Sequence, residues 1–209
     1  MGENQRDYCE NLYEVAAALN SAHAPDDVLH SIVENVARAL DAKGCSLALL
    51  TPDKKLLLHT VTHGLSEEYL DKGPLSADKS ISEALEGKAV AVLDATSDER
   101  IQYREQKKRE GIASILSVPM MLRGEIIGVI RVYTAEQRQF SKDDTYFVQA
   151  VANLGAIALE NARLYESIHK DYEELRQEML EWRASLAASG TPRSLWFLRQ
   201  SRQQSKPNT

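Results

Sequence analysis

The chain has almost no cysteine. Of its 209 residues only Cys9 and Cys45 carry thiols, and neither stands in a spacing that binds zinc or shuttles electrons. A disulfide framework is thereby excluded, and a reducing, cytoplasmic location is the expected one. Long apolar runs are missing as well. No stretch approaches the roughly 18 residues of a membrane span, and the polar N-terminus is unlike a secretory signal, so no membrane insertion is expected. Net positive charge is also absent: the formal charge is −6, which argues against nucleic acid as the main partner. No Walker-type or dinucleotide glycine signature occurs, and no Ser/His/Asp or Cys/His set has a motif around it. Enzymatic readings therefore find little support, and no catalytic residue is assigned.

Hydrophobic residues make up 43% of the chain, enough for a real core in one sizeable domain with extensions. Leu12, Val15, Ala16 and Leu19 recur at helical spacing and predict a helix over 5–22. Pro25, Asp26 and Asp27 suit the first turn of a second helix, because proline loses no hydrogen bond there and acids meet the dipole. Its apolar positions are Leu29, Ile32, Val33, Val36 and Leu40. Strands follow at 45–51 and 56–63 around the turn Pro52-Asp53-Lys54. Short helices are expected at 67–72 and 80–86, a strand at 89–94, and a very polar helix at 98–110. Past residue 187 the chain carries Arg193, Arg199, Arg202 and Lys206 with no acid, and it reads as a basic, poorly ordered tail.

The most informative stretch is 111–166. Gly-Ile-Ala-Ser-Ile-Leu-Ser-Val-Pro (111–119) runs through Met-Met-Leu to the turn Arg123-Gly124. Glu-Ile-Ile-Gly-Val-Ile-Arg-Val-Tyr (125–133) returns, which makes a hairpin. Ser141 and Asp144 then form a capping box that starts a long helix. This order of pieces resembles the end of a GAF domain, a small-molecule sensory module of signalling proteins, and the likeness covers roughly 25–165. The resemblance implies an α+β fold: a GAF/PAS-like antiparallel sheet of five or six strands, helices on both faces, and a long C-terminal signalling helix. The expected division is an N-terminal helix at 1–24, a GAF-like domain at 25–165, a coiled-coil extension at 166–187 and the tail at 188–209.

A two-residue turn with regular pairing sets Pro119 opposite Gly128, Leu116 opposite Arg131 and Ser114 opposite Tyr133. One face then shows Ser114, Leu116, Arg131 and Tyr133, a mixture of aliphatic wall and polar groups that suits a pocket. A one-residue slip would swap the faces, and Pro119 itself implies an edge or a bulge. The GAF resemblance places a ligand over this sheet, closed in by the middle segments. Those segments add Tyr69, Asp94, Arg100, Tyr103 and Arg104 as candidate contacts. Each has a plainer reading. Arg100, Arg104, Lys107, Lys108 and Arg109 belong to a charged helix whose face water can cover; Arg131 can be strand-end exposure, and Tyr133 can be core. His59 and His63 share a face of a regular strand, but alternation explains them without a metal. No metal or cofactor is expected.

The branches of the family are matched unevenly. The free methionine sulfoxide reductase branch depends on several active-site cysteines, against two here, and the bilin branch on a thiol or a pocket motif not found. Phe140, Asp143 and Asp144 echo part of a cyclic-nucleotide motif, but Thr145 replaces its Glu. From Val151 an apolar seam continues through Leu154, Ala158, Asn161, Tyr165, Ile168, Tyr172, Leu175, Met179, Trp182 and Leu186 in steps of four and three, a coiled-coil heptad. It predicts a parallel homodimer, with Asp171 facing Arg176 and Glu178 facing Arg183 of the partner helix. The alternative is a seam that folds back on its own domain or on the N-terminal helix. Two main functions stay open: a sensor that binds a small unknown ligand, an anion among the candidates, and signals through its helices to a partner protein, and a ligand-free module for dimerisation and protein interaction. A thiol oxidoreductase using Cys45 is a weaker third.

Overall fold

The computed structural model describes residues 3–21, 25–77 and 82–188. They fall into two compact units, Met1–Ala162 and Arg163–Thr209. The tail beyond Ala188 lies outside the described residues. Six strands form one antiparallel sheet in the first unit: β1 Gly44–Leu50, β2 Leu56–His63, β3 Leu75–Ser76, β4 Val90–Val92, β5 Ser114–Leu122 and β6 Glu125–Thr134, in the order β3-β2-β1-β6-β5-β4. The expected α+β sheet with helices on both faces is what forms.

One face carries the main core. α1 Glu3–Ser21, α2 Pro25–Ala39 and the first turns of α6 Lys142–Ala188 pack here. Ile32, Val33 and Val36 of α2 meet Leu116, Val118, Ile130 and Val132 of the sheet and Val148 and Val151 of α6. Each fully buried aliphatic side chain stabilises the fold by about 1.5–3 kcal/mol. The capping box at the start of α6 forms as expected. Ser141 Oγ accepts from the Asp144 N–H at 3.0 Å, and Asp144 Oδ2 accepts from the Ser141 N–H at 2.8 Å. The same carboxylate accepts from Tyr8 on α1, whose ring stacks on Phe147 with centroids 4.6 Å apart.

The opposite face is covered by the short helices α3 Glu67–Leu70, α4 Ser82–Leu85 and α5 Arg104–Glu110. α5 is shorter than the predicted 98–110 helix. Tyr103 takes a left-handed φ of 61° directly before it, and the Arg100 N–H is drawn onto Asp98 Oδ1 at 2.9 Å. That local bond competes with helix continuation.

The β5–β6 register departs from the regular one. Arg123 and Gly124 have φ of 51° and 85°, the two positive values a type I′ turn requires. Leu122 pairs with Glu125 and Met121 with Ile126, as expected. Met120 then pairs with Gly128, leaving Ile127 as an extra residue. Gly128 fits there because a Cβ would lie 2.4 Å from the Ala48 carbonyl oxygen. From the bulge on, every pair shifts by one: Ser117 opposes Arg131 and Ile115 opposes Tyr133. Pro119 is tolerated because β4 pairs only as far as Ser117, so no neighbour needs its missing N–H. A second irregularity, between Leu47 and Ala48 of β1, leaves Thr60 of β2 unpaired. His59 and His63 consequently point to opposite faces instead of sharing one.

Candidate functional site

β6 lies between β1 and β5, so a polar side chain on its α5-facing side is enclosed. Arg131 is 0% exposed there. Its Nε donates to Ser117 Oγ at 3.1 Å, and its guanidinium carbon lies 5.8 Å from the Tyr133 ring centroid. Tyr133 meets Ser46 Oγ through its hydroxyl at 2.9 Å. The Tyr69 ring of α3 stands edge-on to Tyr133, centroids 6.2 Å apart. Lys72 Nζ sits 3.5 Å over the Tyr69 ring, donates to the Tyr69 carbonyl at 2.9 Å and lies 3.3 Å from His59 Nε2. From α5, fully buried Lys107 lies 5.9 Å from the same ring centroid and donates to the Gln102 carbonyl at 2.5 Å.

These basic groups shift one another. Burial first, then Arg131 and Lys72, push Lys107 down to about 6. Burial and Arg131 bring Lys72 to about 8, with Glu110 opposing. Burial, then Lys72, Arg131 and Lys107, hold His59 down to about 3. A neutral imidazole accepts from Lys72 at Nε2, so Nδ1 carries the proton.

Five buried side-chain polar atoms among the described residues have no hydrogen-bond partner: Asn35 Oδ1, His59 Nδ1, Tyr69 Oη, and Arg131 Nη1 and Nη2. Four of the five belong to this cluster, and all four bear protons; the Tyr69 hydroxyl has the Tyr133 hydroxyl as a distant neighbour, whereas the two Arg131 nitrogens have no acceptor at all. An unmet buried donor costs about 1–3 kcal/mol, more when charged, so this concentration makes the cluster the candidate site. The nearest acid, Glu110, is already used. It pairs with Lys43 at 3.5 Å and accepts from the Ser66 backbone and hydroxyl. Two clefts border the cluster, at His59 and at Tyr69, without touching Arg131, Lys72 or Lys107. One, of about 410 Å³, touches it through His59 beside Leu70, Gly73 and Pro74. The other, of about 320 Å³, is lined by Tyr69, Ser66, Lys43 and Glu110.

Of the residues singled out by sequence, Arg131, Tyr133 and Tyr69 come together. The bulge turns Leu116 into the opposite, helical core, where it is 1% exposed. Ser114 goes with it and ties the loops, donating to the Leu93 carbonyl at 2.6 Å and accepting from the Arg138 N–H at 2.9 Å. Asp94 caps its own turn, accepting from Thr96 and Ser97, and these bonds hold it below the usual carboxylate range. It is therefore not the acid that neutralises Arg131. Arg100 is exposed and pairs with Asp98 at 2.7 Å and Glu83 at 3.0 Å. Arg104 is exposed, and Tyr103 donates to the Pro74 carbonyl at 3.1 Å. Lys107, Lys72, Ser117 and Ser46 were missed. α5 is so uniformly charged that no apolar residue marks its inner side, and Lys107 reads as one more solvated cation.

Two predictions arise here. His59 is kept neutral by the fold, whereas an unfolded histidine takes a proton near 6.5. Its contribution is intact above that pH and is lost as pH falls from about 6.5 toward 3, by about 1.4 kcal/mol per pH unit. Urea unfolding at pH 7, 5 and 4 is expected to show a shallower acid loss in His59→Gln than in the parent. An identical acid slope in the two proteins would refute the assignment. The second concerns the thiols. Cys45 is fully buried and burial pushes its thiol far up, while Cys9 is exposed. A Cys9→Ser, Cys45→Ala double variant is expected to keep its secondary structure by circular dichroism, with a loss of about 1 kcal/mol from the vacated methyl-sized space. Loss of a peroxide- or sulfoxide-reducing activity in that variant would overturn the inert-thiol reading.

Comparison with known proteins agrees with this architecture. The chain is 25% identical over 156 residues to a phosphoenolpyruvate-dependent phosphotransferase system protein of Escherichia coli K12, covering 73% of this chain and 21% of that protein. The chain thus spans about a fifth of the length of the curated relatives it matches. Among solved structures, the GAF domain of a phosphoenolpyruvate-protein phosphotransferase from Coxiella burnetii superposes with a TM-score of 0.70 at 20% identity, over 79% of this chain and 99% of that one. Free methionine-R-sulfoxide reductase from Neisseria meningitidis, solved with its substrate, superposes at 0.64 and 16% identity over 76% and 91%. At these identities the structures speak for the fold alone. The family model of the GAF domain matches residues 24–159, and the chain belongs to the GAF domain family, whose members are sensory and regulatory modules of signalling proteins.

Proposed function

We propose that this GAF domain is a cytoplasmic, non-enzymatic sensor whose site binds a small anion between Arg131, Lys107, Lys72 and Tyr69, and that binding is relayed through α6 in a homodimer to a partner signalling protein. The observation that carries the first half is the Arg131 guanidinium: two terminal nitrogens, fully buried, with no acceptor. A planar fork of this kind matches a carboxylate or phosphate group in a bidentate bond. The segments that cover it, α3 and α5, are short and joined by loops, and elements of that kind are the ones that open locally. Native mass spectrometry of the protein as purified tests this directly, the expected finding being a retained low-mass anion released on denaturation. Bare protein that also shows no thermal shift with any of a broad set of metabolite anions counts against it.

The relay half rests on α6. Tyr165, Ile168, Tyr172, Leu175 and Met179 are each 56–71% exposed, at steps of three and four along a continuous helix. Leu154 is instead partly buried against the main core, so the seam serves the domain's interior first and a partner helix afterwards. A ligand-free dimerisation module is favoured by one observation, that Arg131 is wholly covered in this structure. The same native mass measurement separates the two.

A further inference from the structure

We propose that the site takes a dianion, held at one end by Arg131 and at the other by Lys107, and that Lys107 gains a proton as the ligand arrives. This rests on the anion-site reading above and adds the charge of the ligand and a proton linkage. The reasoning starts from what surrounds Lys107. From α3 it faces the Tyr69 ring, and from the segment after α3 it faces Lys72. From β6 it feels Arg131, and the same field reaches His59 of β2. On its own element it has the Gln102 carbonyl and, one turn on, Glu110, which Lys43 and Ser66 already engage. Among the described residues no carboxylate lies within ion-pair distance of Arg131, Lys72 or Lys107.

Charge decides what would fit. A monoanion on the Arg131 fork neutralises that guanidinium and leaves half-buried Lys72, and Lys107 once protonated, with no counter-charge. A second negative group, placed across the Tyr69 ring, supplies one for Lys107. Without it, burial and two neighbouring cations keep Lys107 largely neutral at physiological pH. A negative group beside Lys107 reverses both influences and returns its affinity for a proton toward the ordinary lysine range. Binding then takes up a proton. Affinity is highest below the free lysine's titration and weakens as pH rises through it, by as much as about tenfold per pH unit for each proton taken up.

The test is titration calorimetry of the full chain with sulfate and succinate as dianion probes and acetate as the monoanion. Each is run at pH 6.5 and 8.5 and in two buffers of different ionisation enthalpy. Sulfate does not itself titrate in this range, so any pH dependence belongs to the protein. The dianions are expected to bind at least about tenfold tighter than acetate, weakening between the two pH values by about tenfold or more. The buffer pair is expected to report the uptake of close to one proton at pH 6.5 and of more than one at pH 8.5, where Lys72 titrates as well. Tighter succinate marks a dicarboxylate ligand and tighter sulfate a phosphate-like one. Lys107→Met is expected to lose both the dianion preference and the pH dependence while keeping a folded spectrum; if that variant does not fold, the buffer-pair measurement on the parent decides alone. Dianions and acetate bound alike without proton uptake would overturn this inference and leave the anion site standing. Absence of binding by all three probes, with Arg131→Met no different from the parent, would remove the site as well.

Discussion

Arg131→Met is expected to abolish anion binding and, in the ligand-free protein, to raise stability. The two effects share one origin. Arg131 is a fully buried cation whose Nε donates to Ser117 and whose guanidinium lies over the Tyr133 ring, with Lys72 and Lys107 near enough to be shifted by it and no acid opposite. Desolvation of such a charge costs several kcal/mol, and one neutral hydrogen bond and one ring face offset only part of it. A methionine of similar length fills the space with a flexible apolar chain. Replacement of poorly compensated buried charges by apolar residues is neutral or stabilising by about 1–4 kcal/mol. Urea unfolding of the ligand-free protein, alongside native mass spectrometry of the variant as purified, reads both effects. A variant that instead lost about 3–5 kcal/mol would mark Arg131 as half of an internal ion pair, and the sensor reading would lose its main support.

The second large effect is expected on assembly. Glutamate at both Leu175 and Met179 is expected to turn a dimer into a monomer by light scattering, with the domain still folded. These side chains are 58% and 56% exposed, so neither substitution removes core packing. In a parallel pair both positions would sit in the seam, and two facing glutamates there lose apolar burial and repel. Asp171 and Glu178 flank the seam opposite Arg176 and Arg183 only when the helices run in the same direction. Within one chain Arg176 is 3.4 Å from Glu173, an exposed i,i+3 pair of small energetic consequence that leaves it free to exchange partners. A parent protein already monomeric at tens of micromolar would end the proposal.

The helices and strands were legible because their periodicities are strong. Leu29, Ile32, Val33 and Val36 repeat as a helix must, and Ser141 with Asp144 announces the start of α6 in two letters. What the pattern could not show was the extra residue at Ile127. A run as uniformly aliphatic as 126–130 has no polar alternation to fix which residue faces which way, so regular pairing was the natural reading and it exchanged Ser117 for Ser114 and Leu116. Buried Lys107 was hidden for the opposite reason. α5 carries a charge at six of its seven positions, and which charge turns inward depends on packing against Tyr69, a residue far off in the chain. Arg131 itself was visible, since a lone guanidinium in an apolar strand is unusual. Its lack of an acid partner was not, because that depended on where Asp94 and Glu110 spend their oxygens.

The bulge at Ile127 gives the hairpin something like a reading frame. Upstream of it, toward the turn, pairing is unaffected by the additional residue; downstream, every side chain of β6 has been moved from one side of the sheet to the other. Arg131 and Tyr133 belong to the candidate site only because of that offset, so the cluster is specified by the count of residues between turn and guanidinium as much as by their identity. Two chains of this family can therefore carry the same arginine at the same aligned column and still present it to different chemistry, one to a pocket and one to a helical interior. Transferring a binding residue from one GAF domain to another needs the bulge to be matched first and the amino acid second.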